Sequence, residues 1–493
     1  SGLPDTEIAL AKQTAEQRNN NTGWLLTLEF PSYFGVMTYA DNRALRQEVY
    51  TAFVTRASDQ GPDAGRWDNS KIIEEILQRR YECAKLLGFD NYAEYSLATK
   101  MAQSSEQVLN FLNDLADKSY TVAKAELAEL SAFAIEQDNL DRFEAWDVLY
   151  YSEKLRQQKY NITQEELKPF FPDSQVLSGL FAIVEKLYGL HIKEKSSIDS
   201  WHDSVRFFEI YDQDKRLRGQ FYLDLFARQN KRGGAWMDTC RSRMSINGIT
   251  QHPVAYLNCN FSPAVGDDPA LLTHSEVITL FHEFGHGLHH MLTQIDYPSI
   301  SGINGVSWDA VELPSQFMEN WCWERQALDL ISAHYQSNKP IPDEMLSRLR
   351  AAKNFESAMM MVRQLEFGLF DFRLHREYQP ESALQSTTIL KEVRDQVAVI
   401  KTPEYNRFTH SFAHIFAGGY AAGYYSYKWA EVLSADAYSL FEENGIFDAS
   451  TGQKFLKSIL EQGGSKEAMD LFVEFRGRKP TVDALLKQCG LCL

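Results

Sequence analysis

The sequence predicts a mainly α-helical protein of two lobes with one small β-sheet. Three observations carry that expectation. The chain has 493 residues, more than one compact core normally organises. Apolar residues recur at helical spacing through most of it. Only between about Val205 and Phe261 do aromatic and β-branched residues gather into short, strand-like runs. In chain order, Ser70 to Leu190 reads as long amphipathic helices, with Ser104 to Gln137 a clear example. The aromatic-rich runs Val205 to Tyr211 and Leu217 to Phe226, separated by the turn-prone residues 212–215, read as a β-hairpin. A Gly233-Gly234 loop and a strand from Pro253 to Phe261 follow, and helical patterns then dominate to the end. Gly-rich segments at Ser301 to Val306 and Ala417 to Gly423 interrupt those helices and supply backbone that can move or approach a neighbour closely. One lobe is expected to comprise 1–55 and 160–435, with the sheet, and the other, wholly helical, 56–159 and 436–493.

Composition narrows the function classes. The chain is 44% hydrophobic and 24% charged, with no run approaching the roughly 18 apolar residues of a membrane span, so a soluble chain without membrane contact is expected. Fifty basic against sixty-seven acidic residues give a net charge of −17, and no Lys/Arg-rich run could follow a phosphate backbone; nucleic acid is not an expected partner. Six scattered cysteines suit reduced thiols in a cytoplasmic compartment better than a disulfide framework. Cys489 and Cys492 have redox or metal spacing, but no second pair accompanies them, and they read as structural.

Thr273-His-Ser-Glu276 fits a capping box, so a helix is expected from there through Met291. At about 100° per residue, Val277, Phe281, Phe284, Leu288 and Met291 form one apolar stripe, and His282 and His286 fall on the opposite face. Two imidazoles one turn apart can approach a single zinc ion, and Glu283 projects nearby without having to be a ligand. The alternative is a pair of solvated surface histidines. His289 and His290 continue the row too far along the axis to share the ion, so structural or supporting roles are expected for them.

A zinc ion with an open position needs one more protein ligand. Glu312 is the leading choice, in Asp309-Ala-Val-Glu312-Leu-Pro-Ser-Gln, which reads as the start of a second helix. Asp309 as N-cap with Glu312 as its reciprocal carboxylate is a competing explanation. Asp309, Glu319 and Glu324 compete for the ligand role.

His282-Glu-Phe-Gly-His286-Gly-Leu-His289, followed by Val311-Glu-Leu-Pro-Ser-Gln316, resembles the thimet-oligopeptidase family of metallopeptidases. The resemblance extends to Arg232-Gly-Gly-Ala-Trp-Met-Asp238, Pro253-Val-Ala-Tyr256, Arg363 to Phe372 and His414 to Tyr427, and so covers nearly the whole chain. It implies a zincin active-site helix beside the small sheet and two helical lobes flanking a deep channel, 1–55 with 160–435 being the catalytic lobe and the remainder a helical wall. It implies one Zn2+ per chain on His282, His286 and Glu312, with Glu283 as general base. His414, Tyr420 and Tyr427 would stabilise the oxyanion, and Tyr424, Gly418 and Gly419 would contact substrate. From spacing alone, Tyr420, Tyr424 and Tyr427 fit a core stripe instead.

The activity implied is zinc-dependent endopeptidase hydrolysis of short peptides by a cytoplasmic monomer. Peptides are expected to lie antiparallel to an edge strand of the sheet, with Pro253 to Phe261 as the candidate. Two alternatives are a peptidyl-dipeptidase that grips the substrate's C-terminal carboxylate and a zinc-loaded form that binds peptides without turnover. The second arises because members of the family carry a further helical segment ahead of the equivalent of Ser1, on which channel closure and full activity are expected to depend.

Overall fold

The computed structural model describes residues 1–17, 22–196, 198–228, 231–261, 263–264, 268–380 and 385–491. Seven of its helices bear on function: α1 (Ser70–Leu86), α2 (Ser105–Asp138), α3 (Asp173–Tyr188), α4 (His274–Met291), α5 (Leu313–Glu319), α6 (Ser357–Glu377) and α7 (Ser426–Asn444). Among the described residues, no helix is long and apolar enough to cross a membrane.

The chain forms two compact units. The first comprises Ser1–Ala98, Gln103–Asn161 and Asn354–Tyr425. Its long helix α2 starts where Ser104, in extended conformation, accepts the Gln107 N–H, and ends at Asn139 in the left-handed conformation. Val108, Leu112, Leu115, Ala123 and Leu130 form its buried stripe. α2 packs along α6, and Gly368 allows the approach, since a Cβ there would stand 3.3 Å from the Leu112 side chain. Glu126 of α2 accepts the Met359 N–H at 2.8 Å, capping the first turn of α6 from a neighbouring helix.

The second unit comprises Thr99–Ala102, Ile162–Lys353 and Ser426–Leu493. These bounds differ from the expected ones: 1–55 and 354–425 group with α1 and α2, and 436–493 joins the sheet-bearing unit. Packing explains the difference. α6 lies on α2, whereas α7 lies on α5 with Phe441 against Phe317 at 5.5 Å. Helical spacing reveals an apolar stripe and not the helix it meets.

The sheet of the second unit contains β1 (His191–Glu194), β2 (Arg206–Tyr211), β3 (Leu217–Phe226), β4 (Trp236–Arg241) and β7 (Val254–Phe261), in the order β1-β2-β3-β7-β4; β5 (Met244–Ile246) and β6 (Ile249–Gln251) form a separate ribbon. β2 and β3 make the predicted hairpin, with Phe208 stacked on its cross-strand partner Phe221. β7 is where the sequence placed it, but it is not an edge. It pairs parallel with β3 and antiparallel with β4. Its near-continuous apolar run, with Val254, Ala255, Leu257, Cys259 and Phe261 all buried, marks an interior strand. The edge on that side is the more exposed β4, whose register shifts between Thr239 and Arg241, leaving Cys240 as a bulge.

Helix α4 packs on this sheet through its apolar stripe. Phe284 meets Phe221 at 5.5 Å and Phe181 of α3 at 6.1 Å. Cys83, Cys240, Cys259, Cys322 and Cys489 are free thiols, while Cys492, half of the CxxC spacing, lies outside the described residues.

Candidate metal centre

Both bonds of the predicted capping box are formed. The Thr273 hydroxyl accepts the Glu276 N–H at 3.1 Å, and the Glu276 carboxylate accepts the Thr273 N–H at 2.7 Å. With the start of α4 fixed, Val277, Phe281, Phe284, Leu288 and Met291 are buried as expected. His282 and His286 face the other way, 26% and 14% exposed, with ring centroids 4.9 Å apart.

Glu312 stands immediately before α5. It reaches the histidines because α5 crosses α4 at Gly285, where a Cβ would fall 2.4 Å from the Pro314 carbonyl oxygen and 2.6 Å from the Ser315 Cα. Glu312 Oε2 lies 3.0 Å from His286 Nε2 and 3.3 Å from His282 Nε2, and it accepts the Ser315 hydroxyl at 2.9 Å. One donor atom from each of His282, His286 and Glu312 thus lies within 4.8 Å of the others. Among the described residues this is the one His/Cys/Asp/Glu group that could hold a metal ion.

The competitors are engaged elsewhere. The Asp309 carboxylate is buried and accepts the Met101 and Ala102 N–H groups at 2.7 and 2.9 Å, which removes the capping-box explanation of Glu312. Glu324 faces Arg350. Glu319 accepts from His282 Nδ1 at 2.7 Å. A carboxylate can only accept, so this bond places a proton on Nδ1 and turns Nε2 toward the centre.

Burial by itself would lower the His282 pKa, but the hydrogen bonds and charges of Glu312 and Glu319 outweigh it and push the value up to about 10. Burial likewise opposes ionisation of Glu312, and the two histidines overcome it, holding this carboxyl well below the usual carboxylate range. Glu283 behaves differently. Burial raises its pKa, with His282 and His286 pulling the other way. Its side chain lies close to the backbone N–H of Met237 in edge strand β4, and its buried Oε2 has no partner. Two imidazole nitrogens, one carboxylate oxygen and this orphaned acceptor fit a divalent ion that retains an exchangeable position, with Glu283 ready to receive a proton there.

The remaining expected residues belong to different units. Tyr427 lies in the first turn of α7, in the same unit as the metal centre, and its carbonyl accepts from Gln316 of α5 at 3.4 Å. His414, Gly418, Gly419, Tyr420 and Tyr424 lie in the first unit. There His414 neighbours Tyr424 at 5.7 Å and Tyr420 at 6.2 Å between ring centroids. The Tyr424 hydroxyl donates to Gln364 at 3.0 Å. The Gly-rich segment ends on a clamp that the sequence did not disclose: buried Asp371 accepts the N–H groups of Ala422, Gly423 and Tyr424, each at 2.9 Å. His289 is buried, with its pKa pushed down to about 3, and His290 is buried against the Arg241 carbonyl, as expected of supporting residues.

Solved structures with the same fold include PZ peptidase A, with TM-score 0.57 and 14% identity, covering 91% of this chain and 68% of that one. Another is a carboxypeptidase of Pyrococcus furiosus, with TM-score 0.54 and 12% identity, covering 99% and 87%. Sequence relatives are nearer. Oligopeptidase A of Escherichia coli strain K12 is 57% identical over 492 residues, spanning 100% of this chain and 72% of its own, and that of Haemophilus influenzae is 56% identical with the same coverage. Dipeptidyl carboxypeptidase of Escherichia coli strain K12 is 34% identical, covering 100% and 71%. The description of peptidase family M3 matches residues 36–491. Family match and identity agree with the metal-binding geometry of α4 and α5: the chain belongs to peptidase family M3 and is a metallopeptidase.

Proposed function

We propose that this metallopeptidase binds one zinc ion per chain through His282, His286 and Glu312 and cuts short peptides internally, with Glu283 as general base. The observation that carries the proposal is the orphaned Glu283 Oε2 beside three metal-binding groups within 4.8 Å of one another. A zinc ion held there would supply the positive charge that acidifies water and polarises a peptide carbonyl. Glu283, whose pKa burial raises, would take the proton of the attacking water and pass it to the leaving amine. The Glu319 bond to His282 Nδ1 would keep that ring in its ligand orientation.

The peptide would pair with the free edge of β4, which adjoins Glu283 through the Met237 N–H; main-chain pairing gives affinity with little sequence preference. The family resemblance assigns oxyanion stabilisation to His414, Tyr420 and Tyr427 and substrate contact to Tyr424, Gly418 and Gly419. A monomer in the cytoplasm accompanies this reading. The 34% identity to a dipeptidyl carboxypeptidase, against 57% to oligopeptidase A, favours internal cleavage.

Hydrolysis of an internally quenched peptide of about eight residues, with zinc content measured in parallel, tests the proposal. The parent should contain one zinc and turn over. Glu283→Gln should retain zinc and lose about 10²–10⁴-fold in kcat. Zinc with no turnover in the parent would favour the binding-only form, and a product series of dipeptides alone would favour the peptidyl-dipeptidase.

A further inference from the structure

Helix α4 touches edge strand β4 at two points. Near its middle, Glu283 comes close to the backbone N–H of Met237; two turns later, His290 Nε2 lies 3.0 Å from the Arg241 carbonyl oxygen. A carbonyl can only accept, so the imidazole donates. His290 is fully buried, and Gly302, at φ +64, lies so close that a Cβ there would stand 2.6 Å from His290 Nδ1, which leaves the ring little room to turn.

The two spacings match. Seven residues of helix advance about 10 Å at roughly 1.5 Å each. Four residues of strand would advance about 13 Å at roughly 3.3 Å each. The register shift between Thr239 and Arg241 makes Cys240 an extra residue opposite β7, so Met237 to Arg241 counts as about three strand steps, or roughly 10 Å. The bulge brings the strand's hydrogen-bonding groups into phase with Glu283 and His290.

We infer that His290 is a positioning residue for substrate binding: it holds the bulged end of β4 so that an extended peptide pairs with the strand in register with Glu283. This inference rests on the proposed docking of peptides along β4. Without the His290 donor, the Arg241 carbonyl would lose a buried partner and the end of the strand would be free to shift. The chemistry supplied by Glu283 and the metal ligands would be untouched, so the loss should fall on peptide binding.

The test compares zinc-loaded parent, His290→Leu and His290→Gln in hydrolysis of the quenched peptide, together with amide hydrogen exchange over 236–241. Leucine removes the donor and glutamine retains a side-chain N–H. His290→Leu should raise KM about tenfold with kcat and zinc content near the parental values, as expected for one lost hydrogen bond. It should also speed exchange over 236–241. His290→Gln should recover most of both. If His290→Leu does not fold, His290→Phe, which keeps a ring without the donor, replaces it. An unchanged KM in a folded donor-less variant, or equal losses in the glutamine and donor-less variants, overturns the inference. If the parent does not hydrolyse peptides, the docking reading fails by itself, and unaltered exchange in the donor-less variant overturns the role of His290 separately.

Discussion

Glu312 and Glu319 reach the same imidazole at opposite nitrogens, His282 Nε2 and Nδ1. Only the first can share a cation with His286. Removing the Glu319 carboxylate leaves the three metal-binding groups in place but releases the His282 ring, so Glu319→Ala is expected to weaken zinc binding by about 10–100-fold with little change in melting temperature of the metal-free protein. Competition with a chromogenic chelator measures this, and unchanged affinity would show that Glu319 does not orient the ligand. Sequence carried the histidine pair because its signal is local: a cap, a stripe and two imidazoles on the opposite face. Glu312 was ambiguous in the residues, since Asp309 three positions earlier has the spacing of a capping box. The ambiguity ends only where Asp309 is seen to bind Met101 and Ala102, some 200 positions away in the chain, at separations that the sequence does not express. Ser315 and Met237 gave no signal, because each acts through a contact made by folding.

At the scale of elements, the centre depends on two helices approaching more closely than side chains allow. Gly285 is the contact point. Alanine has the better helix propensity by about 1 kcal/mol, yet its methyl would meet the backbone of Pro314 and Ser315, which cannot rotate away. Gly285→Ala is therefore expected to lower stability by about 1–3 kcal/mol and to weaken zinc binding, because α5 must move and Glu312 moves with it. Gly287 provides the contrast: there a Cβ would meet the end of the Leu257 side chain at 3.0 Å, which can rearrange, so Gly287→Ala should cost less. Thermal melts with and without zinc distinguish the two; equal effects would mean that the α4–α5 contact does not control the site. The hairpin β2–β3 was legible because its strands are consecutive and its turn is short. The edge was not, because β7 pairs with β3 ahead of β4, and pairing order between separated strands leaves no local pattern.

Across the whole molecule, helical content was legible from period and the small main sheet from its aromatic-rich runs, while the membership of the two units was not, since contacts such as α2 with α6 and α5 with α7 join segments distant in the chain. One junction of this kind makes stability depend on pH. Glu356 stands just before α6 at φ 55, a left-handed conformation uncommon for a residue with a Cβ, and its buried Oε1 has no partner. Burial, reinforced by the nearby charge of Glu126 and opposed by that of Lys159, pushes its pKa from 4.5 up to about 7. The folded chain therefore keeps this proton over a range in which the unfolded chain has lost it. Stability falls as pH rises from about 4.5 to 7; below that window the group costs nothing, and above it the full cost remains. Glu356→Gln keeps the shape and cannot ionise. It should match the parent near the lower end of the window and exceed it above pH 7, by up to about 3 kcal/mol. Denaturant midpoints of both proteins at acid and mildly alkaline pH decide the matter, and an equal difference at the two pH values would mean that Glu356 does not titrate with folding.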